Sequence, residues 1–208
     1  ELTASERIAR IRSDFRMGVA VGFRSGLEKW LVASSETITL SRFNGMRKLG
    51  PLELAITDWR AQTLSTWATD GDIARLAIPD DKDLDWVHSV CDPSDDFNTP
   101  LKGPFTPIFG GSADVSRTAL AICKTAHLIP SAVMVNITDQ DIVGLDFIDL
   151  EQILSLILNP SNQLIEVSAA NVPLQVAEAS RVHVFRPQDG GEEHYAIEIG
   201  NPDRNKSV

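Results

Sequence analysis

Residues 114–137, DVSRTALAICKTAHLIPSAVMVNI, set a helix-length amphipathic segment directly ahead of a run that is apolar at almost every position. Within residues 117–127 the apolar Leu120, Ile122, Cys123 and Ala126 recur near helical spacing, with Lys124 on the polar side. Proline lacks an amide hydrogen and its ring clashes with the preceding turn, so Pro130 is where this helix is expected to break. Residues 132–137 then read as a short strand apolar enough to be covered on both faces. A buried strand with a helix packed on it needs other strands beside it to take up its backbone N–H and C=O groups. The remainder of the chain therefore has to supply a sheet, and the fold class is α/β.

The strands and helices that could do so are legible in order. Thr3 and Glu6 form a capping box ahead of a helix with Ile8, Ile11 and Phe15 on one face, running to about Arg16. Residues 18–23 and 30–33 read as two strands joined by a tight turn over residues 24–28. A helix beginning at residues 39–41 carries Phe43, Met46 and Leu49 and is stopped by Gly50 and Pro51. Residues 52–57 alternate as a strand does, and Asp58 is placed to cap a helix with Ala61 and Leu64. Residues 70–97 are acidic and are expected to be loop-rich. Asp146 is placed to cap a helix with Phe147, Leu150, Ile153, Leu154 and Ile157 on one face, ended by Asn159 and Pro160, and residues 164–167 form another short strand. From residue 179 the character changes: residues 181–186 and 194–199 alternate on either side of a turn at 187–191, a β-hairpin by its own pattern.

The 208 residues suffice for one sizeable core plus an appendage. A formal charge of −10 argues against nucleic acid or an anionic membrane as the main partner, because both call for basic patches. No apolar run approaches the ~20 residues that a membrane helix needs, and no signal peptide is visible. Cys91 and Cys123 have no paired spacing and point to reduced thiols in a cytoplasmic setting.

Two stretches resemble the 3,4-dihydroxy-2-butanone-4-phosphate synthase family of riboflavin biosynthesis. The first is residues 31–64, where a strand, a helix, a strand ending in Thr57 and a helix carrying Arg60 and Ala61 follow the family's order. The second is the helix, then Pro130, Ser131, Ala132 and Val133, then Val135, Asn136 and Ile137, matching the family's helix, "P-A-G-V" turn and strand. Residues 99–107 sit where the family has its "P-G-H-x-F-P-L" loop. The closing hairpin, with Glu193, His194, Tyr195 and Ala196, resembles the opening of GTP cyclohydrolase II, which follows the synthase domain in fused riboflavin proteins. The resemblance implies a sheet sandwiched by helices over residues 1–172, with residues 173–208 as linker and first hairpin of a GTP cyclohydrolase II-like domain. It also implies a homodimer.

The synthase chemistry that the resemblance implies rests on a pair of divalent cations held by Glu and His, with further carboxylates for proton transfer. Aligned without gaps, the metal-binding Glu position of the family's acidic loop falls on Gly26, and only Glu28 coincides with a family carboxylate. The His, Thr and Glu of the family's G-G-H-T-E segment fall on Val115, Ser116 and Arg117, or the His on Ser112 if Gly110 and Gly111 are aligned with an insertion. The strand-end Glu falls on Asn136. Magnesium-type ions need hard oxygen ligands, so this vestigial pocket is expected to hold no metal and no catalytic residue, a pseudoenzyme serving folding, dimerisation or regulation. No cofactor is expected in this segment; zinc would belong to the downstream cyclohydrolase domain, whose three-cysteine site these residues lack. Two other expectations stand beside this one. His88, Cys91, Asp92, Asp95 and Asp96 include competent ligands for a relocated metal site, with Asp92, Asp95 and Asp96 facing the old pocket of an active sugar-phosphate enzyme. A phosphate-ester sensor would instead turn Arg117 and Lys102 into an open pocket.

Overall fold

The computed structural model describes residues 3–138, 146–158, 164–175, 179–188 and 190–200. In chain order the elements are α1 (Ala4–Arg16), β1 (Val21–Ser25), β2 (Glu28–Ser34), α2 (Leu40–Arg47), β3 (Leu52–Thr57), α3 (Asp58–Thr63), β4 (Ile73–Ile78), α4 (Leu84–Cys91), β5 (Thr106–Pro107), α5 (Asp114–Thr125), β6 (Ser131–Asn136), β7 (Phe147–Asp149), α6 (Leu150–Leu158), β8 (Leu164–Asn171), β9 (Ser180–Pro187) and β10 (His194–Ile199). Two compact units result, residues 10–157 and residues 1–9 with 158–208.

The larger unit is built on a seven-stranded sheet in the order β5-β4-β3-β6-β2-β1-β7. It is mixed: β7 runs parallel to β1, and the other neighbours are antiparallel. The apolar run lies at its middle. Val135 of β6 pairs with Leu31 on one side and Leu52 on the other. Strand alternation sends Leu31, Leu54, Ile56, Leu76, Val133 and Val135 to one face, where they pack with Phe43 and Met46 of α2 and Leu84, Val87 and Val90 of α4. The opposite face carries α5, which lies against β1, β2, β3, β4 and β6 and buries Val115, Ala119, Leu120, Ile122 and Cys123. Side chains such as Leu54, Ile56 and Leu76, all wholly buried, each contribute roughly 1.5–3 kcal/mol. The architecture is thus α/β, a mixed sheet between helices.

The smaller unit holds a separate antiparallel sheet, β10-β9-β8. The hairpin of β9 and β10 pairs as its alternation indicates, Ala196 opposite His183. The strand expected at 164–167 extends to Asn171 and belongs to this sheet, opposite β9.

Four local expectations are corrected. Residues 70–97 are more ordered than their acidity suggests, for they contain β4 and α4. Arg75 interrupts the apolar run of β4 but is neutralised by Asp70, and Asp83 accepts a hydrogen bond from the Trp86 amide at 2.9 Å as N-cap of α4. The cap of α3 is Thr57, whose hydroxyl accepts from the Arg60 amide at 3.2 Å, with Asp58 already inside the helix. Helix α5 stops before Pro130: His127 takes a left-handed φ of 57° and the Leu128 amide reaches back to the Cys123 carbonyl at 2.9 Å, closing the helix as a Schellman turn does. Phe147 lies in a strand, opposite Gly22, so Asp146 does not cap a helix there, and α6 begins at Leu150. Cation–π contacts from Lys29 and Arg24, 5.6 and 5.9 Å from the ring centre, hold Phe147 in that strand. Asn159, Pro160 and the Ile157 side chain lie outside the described residues.

Helix α1 ends in the same manner at Gly18. Its φ is 64°, the Val19 amide donates to the Asp14 carbonyl at 2.8 Å, and a Cβ there would sit 2.1 Å from the Thr37 carbonyl oxygen. Gly18→Ala is therefore expected to destabilise the protein by about 2 kcal/mol or more, since both left-handed strain and a backbone collision must be relieved. Urea denaturation monitored through the tryptophans measures this; a loss under about 0.5 kcal/mol would show that the turn relaxes freely.

Candidate functional site

The positions expected to line a vestigial pocket are distributed as follows. Gly26 takes φ 60° at the first of the two residues joining β1 and β2, as a type II′ hairpin turn requires. Glu28 opens β2, exposed, and its Oε2 accepts from the Trp30 indole at 3.0 Å. Trp30 pairs with Asn136, the exposed last residue of β6, so Glu28 and Asn136 share one end of the sheet. The Asn136 Oδ1 accepts from both the amide and the hydroxyl of Thr138, at 2.9 and 2.7 Å.

The first turn of α5 is different in kind. Val115 and Ser116 are buried, and the Ser116 hydroxyl meets the Met134 sulfur at 3.8 Å. Ser116 thus does not cap the helix. Ser112, outside the helix, accepts from the Asp114 amide at 3.2 Å. Arg117 is turned to acids: it bonds Asp72 at 3.0 Å, reaches Asp114 at 3.6 Å, and donates to the Asp70 carbonyl at 2.9 Å. These contacts hold the Asp72 carboxyl below its usual range, first through the Arg117 hydrogen bond, and raise Arg117.

The relocated-ligand set serves other ends. Asp92 caps the short 3-10 turn Pro93–Asp95, accepting from the Ser94 amide at 2.8 Å. Asp95 accepts from Asn98 and Thr99 at 3.2 and 2.7 Å. Asp96 receives the buried Arg60 in two hydrogen bonds of 2.6 and 2.7 Å and the buried Lys102 ammonium on Oδ1. Arg60 spends its other donors on the carbonyls of Val90, Ser89 and Asp92. Lys102 also bonds the Ser89 carbonyl. Cys91 is buried, and burial pushes its thiol up. Cys123 is likewise buried and is pushed up to about 12, so neither is a ready thiolate. Among the described residues, no group of three His, Cys, Asp or Glu side chains is placed to hold a metal ion. Lys102 and Asp96 do line an open cleft of about 530 Å³ with Ser65, Thr99, Leu101 and Phe105; Arg117 is not part of its wall.

Sequence reasoning missed two buried arginines and a half-buried glutamate. Arg60 sits in a helix otherwise read for Ala61 and Leu64. Arg75 stands in the middle of an apolar strand and is 4% exposed, bonded to Asp70 at 2.9 and 3.1 Å and to the Gly110 carbonyl at 2.6 Å. A lone arginine within a strand of that kind signals a buried ion pair. Glu53 alternates with Leu52 and Leu54, and its Oε2 is buried without a hydrogen-bond partner. Burial raises its carboxyl, partly offset by Arg75 and reinforced by Glu28 and Asp70. Its place in register with Met134, which Ser116 touches, puts it on the α5 face.

No protein-family profile matches the chain. The chain is similar to GTP cyclohydrolase-2 of Azospirillum brasilense, 28% identical over 211 residues, which takes in 97% of this chain and 52% of that protein. The chain thus spans about half the length of the curated relative it matches. No helix among the described residues is long and apolar enough to cross a membrane.

Two measurements follow from these charges. Asp96→Asn leaves two buried cations without their carboxylate and is expected to cost about 2 kcal/mol or more. Arg60 holds the Asp96 carboxyl far below its usual range, ahead of Lys102. Its stabilisation is therefore complete above the unfolded carboxylate pKa of about 4 and is lost as the pH falls toward the folded value. Chemical denaturation from pH 7 to 3 should show a decline that is shallower in Asp96→Asn; parallel curves would place the acid sensitivity elsewhere. Glu53→Gln should act oppositely, raising stability at pH 7 by about 1 kcal/mol, with the gain vanishing as acid protonates the wild-type carboxyl. A loss at pH 7 would mean that the Glu53 charge is matched by a partner.

Proposed function

We propose that residues 1–172 are a non-catalytic module of 3,4-dihydroxy-2-butanone-4-phosphate synthase type, working beside a GTP cyclohydrolase II-type domain in a cytoplasmic riboflavin-pathway protein. Residues 173–208 contribute the first hairpin of that second domain, and β8, at the end of residues 1–172, joins the hairpin's sheet by pairing with β9. The observation that carries the reading is the fate of the metal- and proton-handling positions that the resemblance implies, of which the metal-binding Glu position falls on Gly26, in the turn between β1 and β2. The His position is occupied by buried Val115, the Glu of the same segment by Arg117 already paired with Asp72, and the strand-end Glu by Asn136, engaged with Thr138. A divalent cation needs several hard oxygens converging on one point, and these side chains offer hydrocarbon, a cation and one amide. The similarity to GTP cyclohydrolase-2 over nearly the whole chain supports the pathway. The module's remaining work is to support folding, to dimerise, or to regulate its neighbour.

An active enzyme with ligands at Asp92, Asp95 and Asp96 draws no support from the ion pairs that occupy Asp96. The sensor reading draws none from Arg117 and Lys102, both of which are committed to carboxylates and carbonyls.

Ribulose 5-phosphate incubated with the protein and magnesium or manganese should release no formate above background, and calorimetry should show no metal binding in the millimolar range. Metal-dependent formate release would overturn the reading. Light scattering of the same preparation tests dimerisation, which a monomer at tens of micromolar would remove from the list of roles.

A further inference from the structure

The three-stranded sheet of the smaller unit carries one titratable group at its centre. His183 lies on the middle strand β9, with a side chain only 13% exposed. Its Nδ1 stands 3.0 Å from Oε1 of Glu166 on β8, and its Nε2 stands 3.1 Å from Oε2 of Glu198 on β10. One imidazole thus spans all three strands, each of which contributes one member of the set. The ring also stacks on Phe185, centroids 6.4 Å apart and planes 22° apart.

The chemistry of imidazole makes this arrangement dependent on a proton. The imidazolium has two N–H donors and can satisfy both carboxylates at once. The neutral ring has one donor and one lone pair, so whichever tautomer it adopts, a nitrogen lone pair then faces a carboxylate oxygen at about hydrogen-bond distance. We infer that Glu166, His183 and Glu198 form a proton-operated latch that ties both outer strands to β9 when His183 is charged and releases one of them when it is neutral. The charged groups facing the ring are Glu166 from β8, Glu198 from β10 and, two residues away on its own strand, Arg181. The hydrogen bonds to Glu166 and then Glu198 raise the His183 pKa above its ordinary value, and Arg181 opposes them. A group whose folded pKa is raised stabilises fully below its unfolded value, here about 6.5. That stabilisation is lost as the pH rises through the folded value. The window lies on the neutral-to-alkaline side of an ordinary histidine.

The latch has a structural setting that makes release consequential. The β8–β9 ladder shifts register between Glu166 and Ser168, so the backbone pairing of β8 is interrupted beside the very residue that His183 holds. Release is therefore expected at β8 rather than at β10, whose ladder to β9 is unbroken over His194–Ile199.

The test is an NMR titration of the His183 ring in the whole chain, with hydrogen exchange of the β8 and β10 amides read across the same pH range. In the wild type the ring should titrate above 6.5, and Glu166→Gln and Glu198→Gln should each move the titration down. Protection of the β8 amides, corrected for the intrinsic pH dependence of exchange, should fall through the same titration, and His183→Gln should abolish that step. Titration at or below 6.5 would overturn the latch, as would β8 protection that is independent of the titration. If a variant does not fold, the wild-type titration and exchange profile still decide the matter. Loss of protection at β10 but not β8 would overturn the assignment of the released strand.

Discussion

Everything in the larger unit is placed by the need to cover and pair β6. Five of its six residues are buried, and a strand buried on both faces must give up every backbone hydrogen bond to other strands. The antiparallel neighbours β2 and β3 do this, and both faces are closed, one by α2 and α4 and the other by α5. The fixing points lie at the strand's start. The Ser131 and Ser35 hydroxyls bond each other in the interior, the Cys123 thiol donates to the Ser131 carbonyl at 3.4 Å, and the Ser35 amide donates to the same carbonyl at 3.2 Å. With one end of β6 tied to α5 and to the end of β2, the register leaves no choice at the other: Asn136 must face Trp30, and Glu28 must stand at that edge. The meeting of Glu28 and Asn136 at one end of the sheet is a consequence of the pairing of β6.

The second organising force is charge. With −10 overall, the protein has acids to spare, and each buried cation is met by one. Arg60 and Lys102 share Asp96, and Arg75 takes Asp70. Removing charges from water costs several kcal/mol per ion, and only close, multiply bonded partners offset it. Such pairs add little net stability over apolar packing, but they select one conformation for segments that hydrophobic burial cannot order. The loop over residues 92–105, with Phe97 96% and Leu101 95% exposed, has almost no core of its own. It is held by Asp96 and Lys102, reaching back to α3 and α4.

The same distinction explains what could be read from the chain. Helices α1, α2 and α5 and strands β3, β6, β9 and β10 show in the sequence because their signals are periodic and local. Strand β4 was obscured by Arg75, which spoils the apolar pattern unless its partner five residues upstream is known. Strand β7 was obscured because Phe147 also falls on the apolar stripe of the helix that follows. Helix α4 was hidden by aspartates that cap it or lie on its outer face. For the site, the burial of Val115 and the exposure of Glu28 fit their surroundings, but the role of Asp96 turned on an arginine 36 residues away. No spacing rule reveals a contact between segments whose proximity is created by the fold.

The smaller unit poses the converse problem. Its ladder of Glu166, His183 and Glu198 occupies one face, while strand alternation sends Tyr195, Ile197 and Ile199 to the other, 64%, 63% and 59% exposed, beside Val182 and Val184. A three-stranded sheet gains independent stability only by packing an apolar face against something, and a contiguous apolar surface rimmed by polar residues is what an interface presents. The polar face therefore cannot be what holds the sheet in place. Its imidazole adjusts how firmly the strands hold one another, while the apolar face supplies the cohesion once covered. In the proposed reading the cover is the rest of the cyclohydrolase-type domain to which this hairpin belongs. The proton on His183 then alters the pairing of β8, whose ladder to β9 is interrupted, while the ladder of β9 and β10 runs unbroken.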